Sequence, residues 1–126
     1  MSNEIQNALA QDRTIDITTV GRKSDRPHRI ETWLFRANGR HFLTGSPGRR
    51  DWYANLLATP DFTLHLKTSV KADLPAKATA ITDEAERRAI FTEILSDLDA
   101  LPDLEAWMSN SPLMEIQFRD GSNEES

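Results

Sequence analysis

Residues 27–44, PHRIETWLFRANGRHFLT, contain two runs rich in strand-forming residues on either side of Asn38-Gly39. An Asn-Gly pair between two apolar runs is the strongest short hairpin signal, because both central positions of a type I′ turn need a positive φ. This segment therefore predicts a strand over Pro27–Ala37, a tight turn, and a second strand over Arg40–Thr44.

Four other segments show an apolar residue at every second position, which is the period of a half-buried strand. They span Arg13–Val20, Asp61–Lys67, Val70–Ile81 and Leu113–Phe118. Pro75 lies inside one of them and has no amide hydrogen to donate to a neighbouring strand. It predicts an edge strand or a bulge at that position.

Apolar residues at helical spacing predict the helices between these strands. The longest covers Asp83–Asp99, and shorter ones are expected over Arg49–Ala58 and around Asp103–Ser109. Six mainly antiparallel strands, with one long late helix and one or two short helices, indicate a small closed or split β-barrel in the α+β class.

The chain has 126 residues, the size of one domain, and it has no cysteine. Disulfides, iron–sulfur clusters, thiolate zinc sites and cysteine nucleophiles are thereby excluded. No apolar run approaches the roughly 20 residues of a membrane helix, and no signal-peptide core is visible, so we expect a cytoplasmic protein without a membrane span. We expect an N-terminal segment over residues 1–12, a barrel domain over 13–119 and a disordered tail over 120–126.

The charge is unevenly distributed along the chain. The formal net charge is −5, yet residues 22–50 hold eight lysines and arginines against only Asp25 and Glu31. The acidic balance of the whole chain already favours solubility, so a basic block needs another explanation. We interpret it as a segment that meets an anion.

The first candidate anion site is the connection between the first two predicted strands. Gly21 lets the backbone turn, and successive amide N–H groups beside the Ser24 hydroxyl can form an anion-binding concavity. Arg22 offers a planar fork that matches phosphate, and Lys23 adds a point charge. A solvated hairpin turn uses the same residue types, so that interpretation stays open.

The second candidate site is Thr44–Tyr53, TGSPGRRDWY, where a strand end, a glycine-rich loop and a helix start follow one another. Helix N-termini attract anions, whereas cations at that end are unfavourable for the helix itself. A helix start selected only for stability would carry acidic residues. Arg49 and Arg50 at this position therefore indicate a function. The alternative is that both pair with acidic residues elsewhere, such as those of the late helix.

Aromatic residues near these basic loops suit a flat anionic ligand, although a core role is open for each: Trp33, Phe35, Phe42, Trp52 and Tyr53. Other sites are not indicated. The histidines His28, His41 and His65 lie in different segments without ligand spacing, so no metal site is predicted. A nucleophile elbow, a P-loop and a dinucleotide-binding glycine motif are absent.

Five segments in this order and spacing resemble the deazaflavin-dependent nitroreductase family over residues 13–119: GRKS, WLFR, NGR, TGSPGRRDWYANLLATP and DFTLHLK. The resemblance implies a split β-barrel of the FMN-binding type that holds the deazaflavin coenzyme F-420. In similar proteins two loops bind the phosphodiester and the start of the oligoglutamate tail. The corresponding residues here are Gly21, Arg22, Lys23 and Ser24, then Ser46, Pro47, Gly48, Arg49 and Arg50.

The resemblance also assigns the ring and the acceptor. Trp33, Leu34, Thr44 and Gly45 would line the deazaflavin ring, and Trp52, Tyr53 and Asn55 would support it. The implied activity is hydride transfer to a small electron-poor acceptor, a quinone or a nitro compound. Glu31, Trp33 and Tyr53 are the candidates for the acceptor pocket.

This chain differs from the family pattern at two points that matter below. Asp25 stands where the first loop usually has glycine. Aspartate tolerates left-handed backbone, but its carboxylate would repel a nearby phosphate. The tyrosines with which better-known nitroreductases bind substrate have no counterpart, because Tyr53 is the only tyrosine. The implied partners are a small-molecule acceptor and, as a possibility, a second copy in a homodimer, with no nucleic acid.

Two other functions compete with this interpretation. The same barrel can hold FMN, but a single phosphate needs fewer cations than residues 22–50 offer. A non-catalytic binder, either a cofactor carrier or a nucleic-acid module, also uses basic loops beside aromatic rings. The acidic remainder of the chain raises the electrostatic cost of a long polyanion.

Overall fold

The computed structural model describes residues 1–119, so the tail predicted over 120–126 lies outside the described residues. Within this range the chain forms seven strands and four α-helices. The strands are β1 Thr14–Val20, β2 Pro27–Trp33, β3 Phe35–Ala37, β4 Arg40–Thr44, β5 Asp61–Leu66, β6 Ala72–Ala80 and β7 Leu113–Phe118. The helices are α1 Asn3–Gln11, α2 Asp51–Ala58, α3 Glu84–Asp97 and α4 Leu104–Asn110, with a 3₁₀ turn over Leu101–Asp103.

The seven strands form one antiparallel sheet in the order β2-β1-β5-β6-β7-β4-β3. The two edge strands, β2 and β3, are separated in the chain by Leu34 alone. In a flat sheet of this width the edges would lie about 30 Å apart, whereas two consecutive peptide units span about 7 Å at most. The sheet must therefore curl until its two edges approach each other, which gives a split barrel.

The predicted count of six strands was wrong because Pro27–Ala37 is two strands and not one. Residues up to Trp33 pair with β1, whereas Phe35 pairs with Phe42 of β4. At the change of partner the Leu34 N–H donates to the Arg13 carbonyl at 2.7 Å, and the Leu34 side chain is fully buried. One hydrophobic run thus crosses from one sheet edge to the other.

The predicted hairpin and strand periods are confirmed. Asn38 and Gly39 have φ values of 55° and 75°, as a type I′ turn requires. The apolar side chains of the central strands point into the curl and form the first core, among them Ile17, Leu64 and Ile116. A second core covers the outer face of β3, β4 and β7, where α3 and α4 pack.

Two further expectations need correction. The structure has three short helices beside the long α3, because residues 3–11 form a complete helix whose Ala8 and Leu9 enter the first core. Strand β6 is central and not an edge strand. The Pro75 carbonyl accepts from the Arg119 N–H, one residue beyond the end of β7. Pro75 therefore lies where the pairing of β6 with β7 ends, and its missing amide hydrogen falls at this end.

Candidate functional site: a cationic cleft and an aromatic pocket

The β1–β2 loop is closed by its own backbone. The Gly21 N–H donates to the Arg26 carbonyl at 2.8 Å, and the Asp25 N–H donates to the Gly21 carbonyl at 2.9 Å. Asp25 has a φ of 61°, the left-handed conformation that a glycine would adopt without strain. Asp25 thus adopts the left-handed backbone that aspartate was expected to tolerate at this position.

The space beside Gly21 is filled by two neighbouring side chains. A Cβ at this position would lie 2.5 Å from His28 Nε2 and 2.6 Å from Ser24 Oγ. These two side-chain atoms lie 3.1 Å apart and form a hydrogen bond across the loop. The Ser24 hydroxyl is thus placed by His28, a residue that the sequence patterns did not assign to the site.

Arg22 is held at the start of α2 by Asn55. The Arg22 N–H and its Nη1 donate to the same Asn55 Oδ1, at 3.2 and 2.9 Å. Asn55 is 5% exposed and donates to Thr19 Oγ1 at 3.2 Å, which fixes its amide orientation. The Arg22 Nη2 also lies 3.5 Å from the Asp51 carboxylate. The first loop is thereby fastened to the second helix.

Arg50 is held by the second loop, Thr44–Arg50. Its Nη2 donates to the Ser46 carbonyl at 2.8 Å and its Nη1 to the Arg49 carbonyl at 3.2 Å. A Cβ at Gly45 would lie 2.9 Å from Nη2, so glycine allows the guanidinium to lie across the loop. Among the described residues no carboxylate lies within 4 Å of Arg49 or Arg50, so the alternative of pairing with the late helix is not observed.

The two loops face one another across a cleft of about 760 Å³, which we call the cationic cleft. Four cationic side chains line it, those of Arg22, Lys23, Arg49 and Arg50, against one carboxylate, that of Asp51. The rest of its lining consists of Thr19, Gly21, Ser24, His28, Ile30, Trp52 and Asn55. The excess of positive charge makes this cleft suitable for an anion.

A second cavity of about 350 Å³, the aromatic pocket, adjoins the cleft and shares Arg50 with it. Its lining is Thr32, Trp33, Phe35, Thr44, Gly45, Ser46, Arg50, Leu98 and Trp107. The Trp33 ring is 47% exposed and lies 6.1 Å from the Phe35 ring, centroid to centroid. A cationic cavity and an aromatic cavity therefore have one lining residue, Arg50, in common.

The other cations of residues 22–50 lie elsewhere. Arg29 contacts Asp16 at 2.9 Å on the outer face of the sheet, and Arg36 donates to the carbonyls of Leu9 and Asp12. Arg40 contacts both Glu86 and Glu115, and this contact lowers the pKa of the Glu115 carboxyl. Arg26 lies outside both cavities. Only half of the basic block therefore converges on the cleft.

Several predicted site residues lie away from these two cavities. Leu34 is fully buried in the first core, and Pro47 is exposed on the second loop. Gly48 and Tyr53 line a third cavity on the other side of the second loop. Glu31 lies on the outer face of β2, where it contacts Lys67.

Other residues that line the two cavities were not predicted from the sequence. His28 and Ile30 pair with Thr19 and Ile17 of β1, so the period of two along β2 contains the signal for them. Leu98 and Trp107 come from the late helices and reach the aromatic pocket through tertiary packing alone. No sequence pattern indicates them.

Residues 1–119 show neither a membrane-spanning helix nor a metal site. No helix there is long and apolar enough to cross a membrane. No group of three or more histidine, cysteine, aspartate or glutamate side chains in that range is arranged to hold a metal ion.

Comparison with known proteins gives a family and a fold. A family model described as F420H(2)-dependent quinone reductase matches residues 2–105. A conserved hypothetical protein from Mycobacterium tuberculosis is similar in structure, with a TM-score of 0.75 and 17% identity over 94% of this chain and 81% of that one. A putative pyridoxamine 5′-phosphate oxidase from Listeria innocua gives a TM-score of 0.68 and 15% identity over 94% and 93%. An F420-H2 dependent reductase, FDR-A, gives 0.60 and 20% over 84% and 95%.

Proposed function

The chain belongs to the F420H(2)-dependent quinone reductase family, and we propose that it is an oxidoreductase that binds the reduced deazaflavin coenzyme and transfers a hydride to a small electron-poor acceptor. The preferred acceptor is a quinone. A nitro compound is the weaker candidate, because the chain's one tyrosine, Tyr53, lies outside the aromatic pocket.

The observation that carries the proposal is that Arg50 lines both the cationic cleft and the aromatic pocket. A coenzyme with a flat ring and a polyanionic extension needs both environments side by side. Arg49 and Arg50 have no carboxylate partner among the described residues, so their charges are available to a ligand. Arg22, held by Asn55, presents its guanidinium from the opposite wall.

The residues present fit the coenzyme in the following way. Arg22, Lys23, Arg49 and Arg50 would bind its phosphate and carboxylate oxygens, since guanidinium forks match such groups. Trp33, Phe35 and Trp107 would line its ring and exclude water from it. When bound, the coenzyme supplies the hydride, and the protein supplies binding, orientation and exclusion of water.

Two alternative functions are distinguished from the proposed one by the experiment described below. FMN in the same cleft would place one phosphate beside four cationic side chains, a poorer match of charge. A non-catalytic binder would hold the coenzyme without turnover. Neither is favoured by a contact in the structure.

The test is a coupled measurement of binding and turnover. Titration of the purified chain with the deazaflavin coenzyme and, separately, with FMN should give tighter binding of the deazaflavin. The reduced coenzyme should then be oxidised by a benzoquinone faster with protein than without it, and a nitroarene should react more slowly. Tight binding of FMN alone would contradict the proposal, and coenzyme binding without turnover would make the protein a carrier.

A further inference from the structure

The third cavity, of about 670 Å³, lies on the other side of the second loop from the aromatic pocket. We call it the α4 pocket, because residues at the end of α4 and in the connection to β7 form one wall. That wall contains Ser109, Asn110 and Ser111, and the opposite wall contains Arg49, Tyr53 and Arg87. The α4 pocket shares four lining residues with the cationic cleft, so the two cavities are contiguous: Arg22, Arg49, Arg50 and Asp51. Asp51 is the one carboxylate among the lining residues of the α4 pocket.

Arg87 brings a positive charge to this pocket without a counter-ion. Its guanidinium donates to three main-chain carbonyls, those of Ile81, Met108 and Ser111, at 2.9–3.0 Å. No carboxylate within residues 1–119 forms a salt bridge with it. Burial lowers the pKa of Arg87, yet an arginine stays protonated in a protein. A partly buried cation without a counter-ion is costly, and an anion would relieve that cost.

Ser111 provides an independent indication of a ligand. The residue is 5% exposed, and its Oγ is the one buried side-chain oxygen or nitrogen among residues 1–119 that has no hydrogen-bond partner. Native proteins pair nearly all such groups, so an unpaired, buried hydroxyl on a residue that lines a cavity calls for an explanation. A ligand oxygen that accepts this hydroxyl hydrogen would complete its bonding.

The carbonyls at the end of α4 do not oppose an anion. The Met108 and Ser111 carbonyls accept from Arg87, and the Asn110 carbonyl accepts from the Gly48 N–H at 3.1 Å. The acceptors that would repel a negative group are therefore already bonded. The side chains that line the cavity include four guanidinium groups, those of Arg22, Arg49, Arg50 and Arg87, against one carboxylate, that of Asp51, which lies 3.5 Å from Arg22 Nη2.

We propose that the α4 pocket is a second anion site, which takes a carboxylate or phosphate group between Arg49, Arg87 and the Ser111 hydroxyl. Two sources have this chemistry: a distal acidic group of the ligand bound in the cationic cleft, or a separate small anion. The proposal does not require the coenzyme to bind, so it can be tested apart from the proposed function.

The probe is citrate, and the readout is the rise in melting temperature that binding produces. Ser109→Glu adds a negative charge to the pocket at an exposed residue, and Ser96→Glu adds the same charge at an exposed residue of α3 outside the pocket. A Lys23→Glu background weakens citrate binding in the cationic cleft, because Lys23 lines that cleft and not the α4 pocket. In this background Ser109→Glu should weaken citrate binding about tenfold relative to Ser96→Glu, the loss of one good charged contact.

Ser111→Ala separates binding from folding. Removing an unpaired buried hydroxyl should leave the melting temperature without citrate unchanged or raised. The same variant should weaken citrate binding about ten- to a hundredfold, the loss of one hydrogen bond to a charged group. A purely structural Ser111 would instead lower the melting temperature and leave the affinity for citrate unchanged.

The source follows from coenzyme titrations of the same variants. If Ser109→Glu also weakens coenzyme binding, and saturating coenzyme abolishes the citrate effect, the occupant is the coenzyme's distal acidic group. If coenzyme affinity is unchanged and the citrate effect persists, the occupant is a separate anion. Equal citrate and coenzyme affinities in Ser109→Glu and Ser96→Glu would overturn the α4 site. Failure of the wild-type chain to bind coenzyme would overturn only the proposed function.

Discussion

At the scale of single residues, Asn55 connects a loop that carries charge to the helix that supports it. It accepts two hydrogen bonds from Arg22 and donates one to Thr19, and it is almost fully buried. A buried amide with these partners leaves unsatisfied groups behind when it is removed. The orientation of Arg22 in the cationic cleft therefore depends on a side chain that lies beneath it.

Asn55→Ala should lower the free energy of unfolding by about 1–3 kcal/mol, the cost of leaving buried polar groups unpaired. It should also weaken anion binding in the cleft, but only while Arg22 is present. Urea unfolding gives the first value, and a double-mutant cycle with Arg22→Ala gives the second. The exposed Asn7→Ala in α1 is the matched control. Equal losses of affinity with and without Arg22 would show that Asn55 does not act through it.

Substitutions at two glycines distinguish steric crowding from backbone strain. Gly21→Ala should cost about 0.5–1.5 kcal/mol, because its Cβ would meet His28 Nε2 and Ser24 Oγ at under 3 Å and these exposed side chains would have to change rotamer. Gly39→Ala should cost about 1 kcal/mol through its positive φ alone, since nothing lies within 4 Å of its Cβ. Chemical denaturation measures both costs. Only Gly21→Ala should also weaken anion binding, and equal binding losses in both variants would contradict this assignment of the first loop.

At the scale of elements, the sequence specifies most strands and helices because their cause is local. The Asn38-Gly39 turn and the alternation along β5 and β6 depend on neighbours within a few residues. The division of Pro27–Ala37 at Leu34 has a non-local cause, the change of pairing partner from β1 to β4. A pattern of hydrophobic residues does not contain that information.

Arg40 joins α3 to β4 and β7, and this contact makes stability depend on pH. Its Nε and Nη2 donate to the two Glu115 carboxylate oxygens at 3.0 and 2.7 Å, and Nη2 donates to Glu86 at 2.9 Å. The contact lowers the pKa of Glu115 in the folded protein. A lowered pKa contributes stability at a pH above the unfolded value, and that stability is lost as the pH falls through the folded value.

Arg40→Gln should therefore be less stable than the wild type at pH 7, by about 1 kcal/mol for a partly exposed ion pair. The difference should narrow as the pH falls below about 4, where the carboxyl groups are protonated in both proteins. Urea unfolding at pH 7, 5 and 3.5 measures it. Arg26→Gln, which removes an exposed cation outside both cavities, should show no such trend. A difference that is independent of pH would contradict the role of Glu115.

At the scale of the whole molecule, the curled sheet and α2 bring two loops that are some twenty residues apart in sequence to one cleft. The basic block between residues 22 and 50 predicts an anion site, and four of its eight cations do line the cationic cleft. The other half could not be assigned in advance. Arg40, for example, pairs with Glu115, which is 75 residues away in the chain. Charge counting along the sequence gives the sign of the site, whereas the fold decides which side chains contribute.

Titration of three single alanine variants with the deazaflavin coenzyme shows whether the arginines of the cationic cleft bind it. Arg22→Ala and Arg49→Ala remove side chains that line the cationic cleft, and Arg26→Ala removes one cation from the same segment outside it. Each cleft variant should bind the coenzyme about 1–3 kcal/mol more weakly, the range for a hydrogen bond to a charged group. Arg26→Ala should remain within about 0.5 kcal/mol of the wild type, as is usual for a surface substitution. Equal coenzyme affinities in all three variants would show that the cationic cleft does not bind the coenzyme.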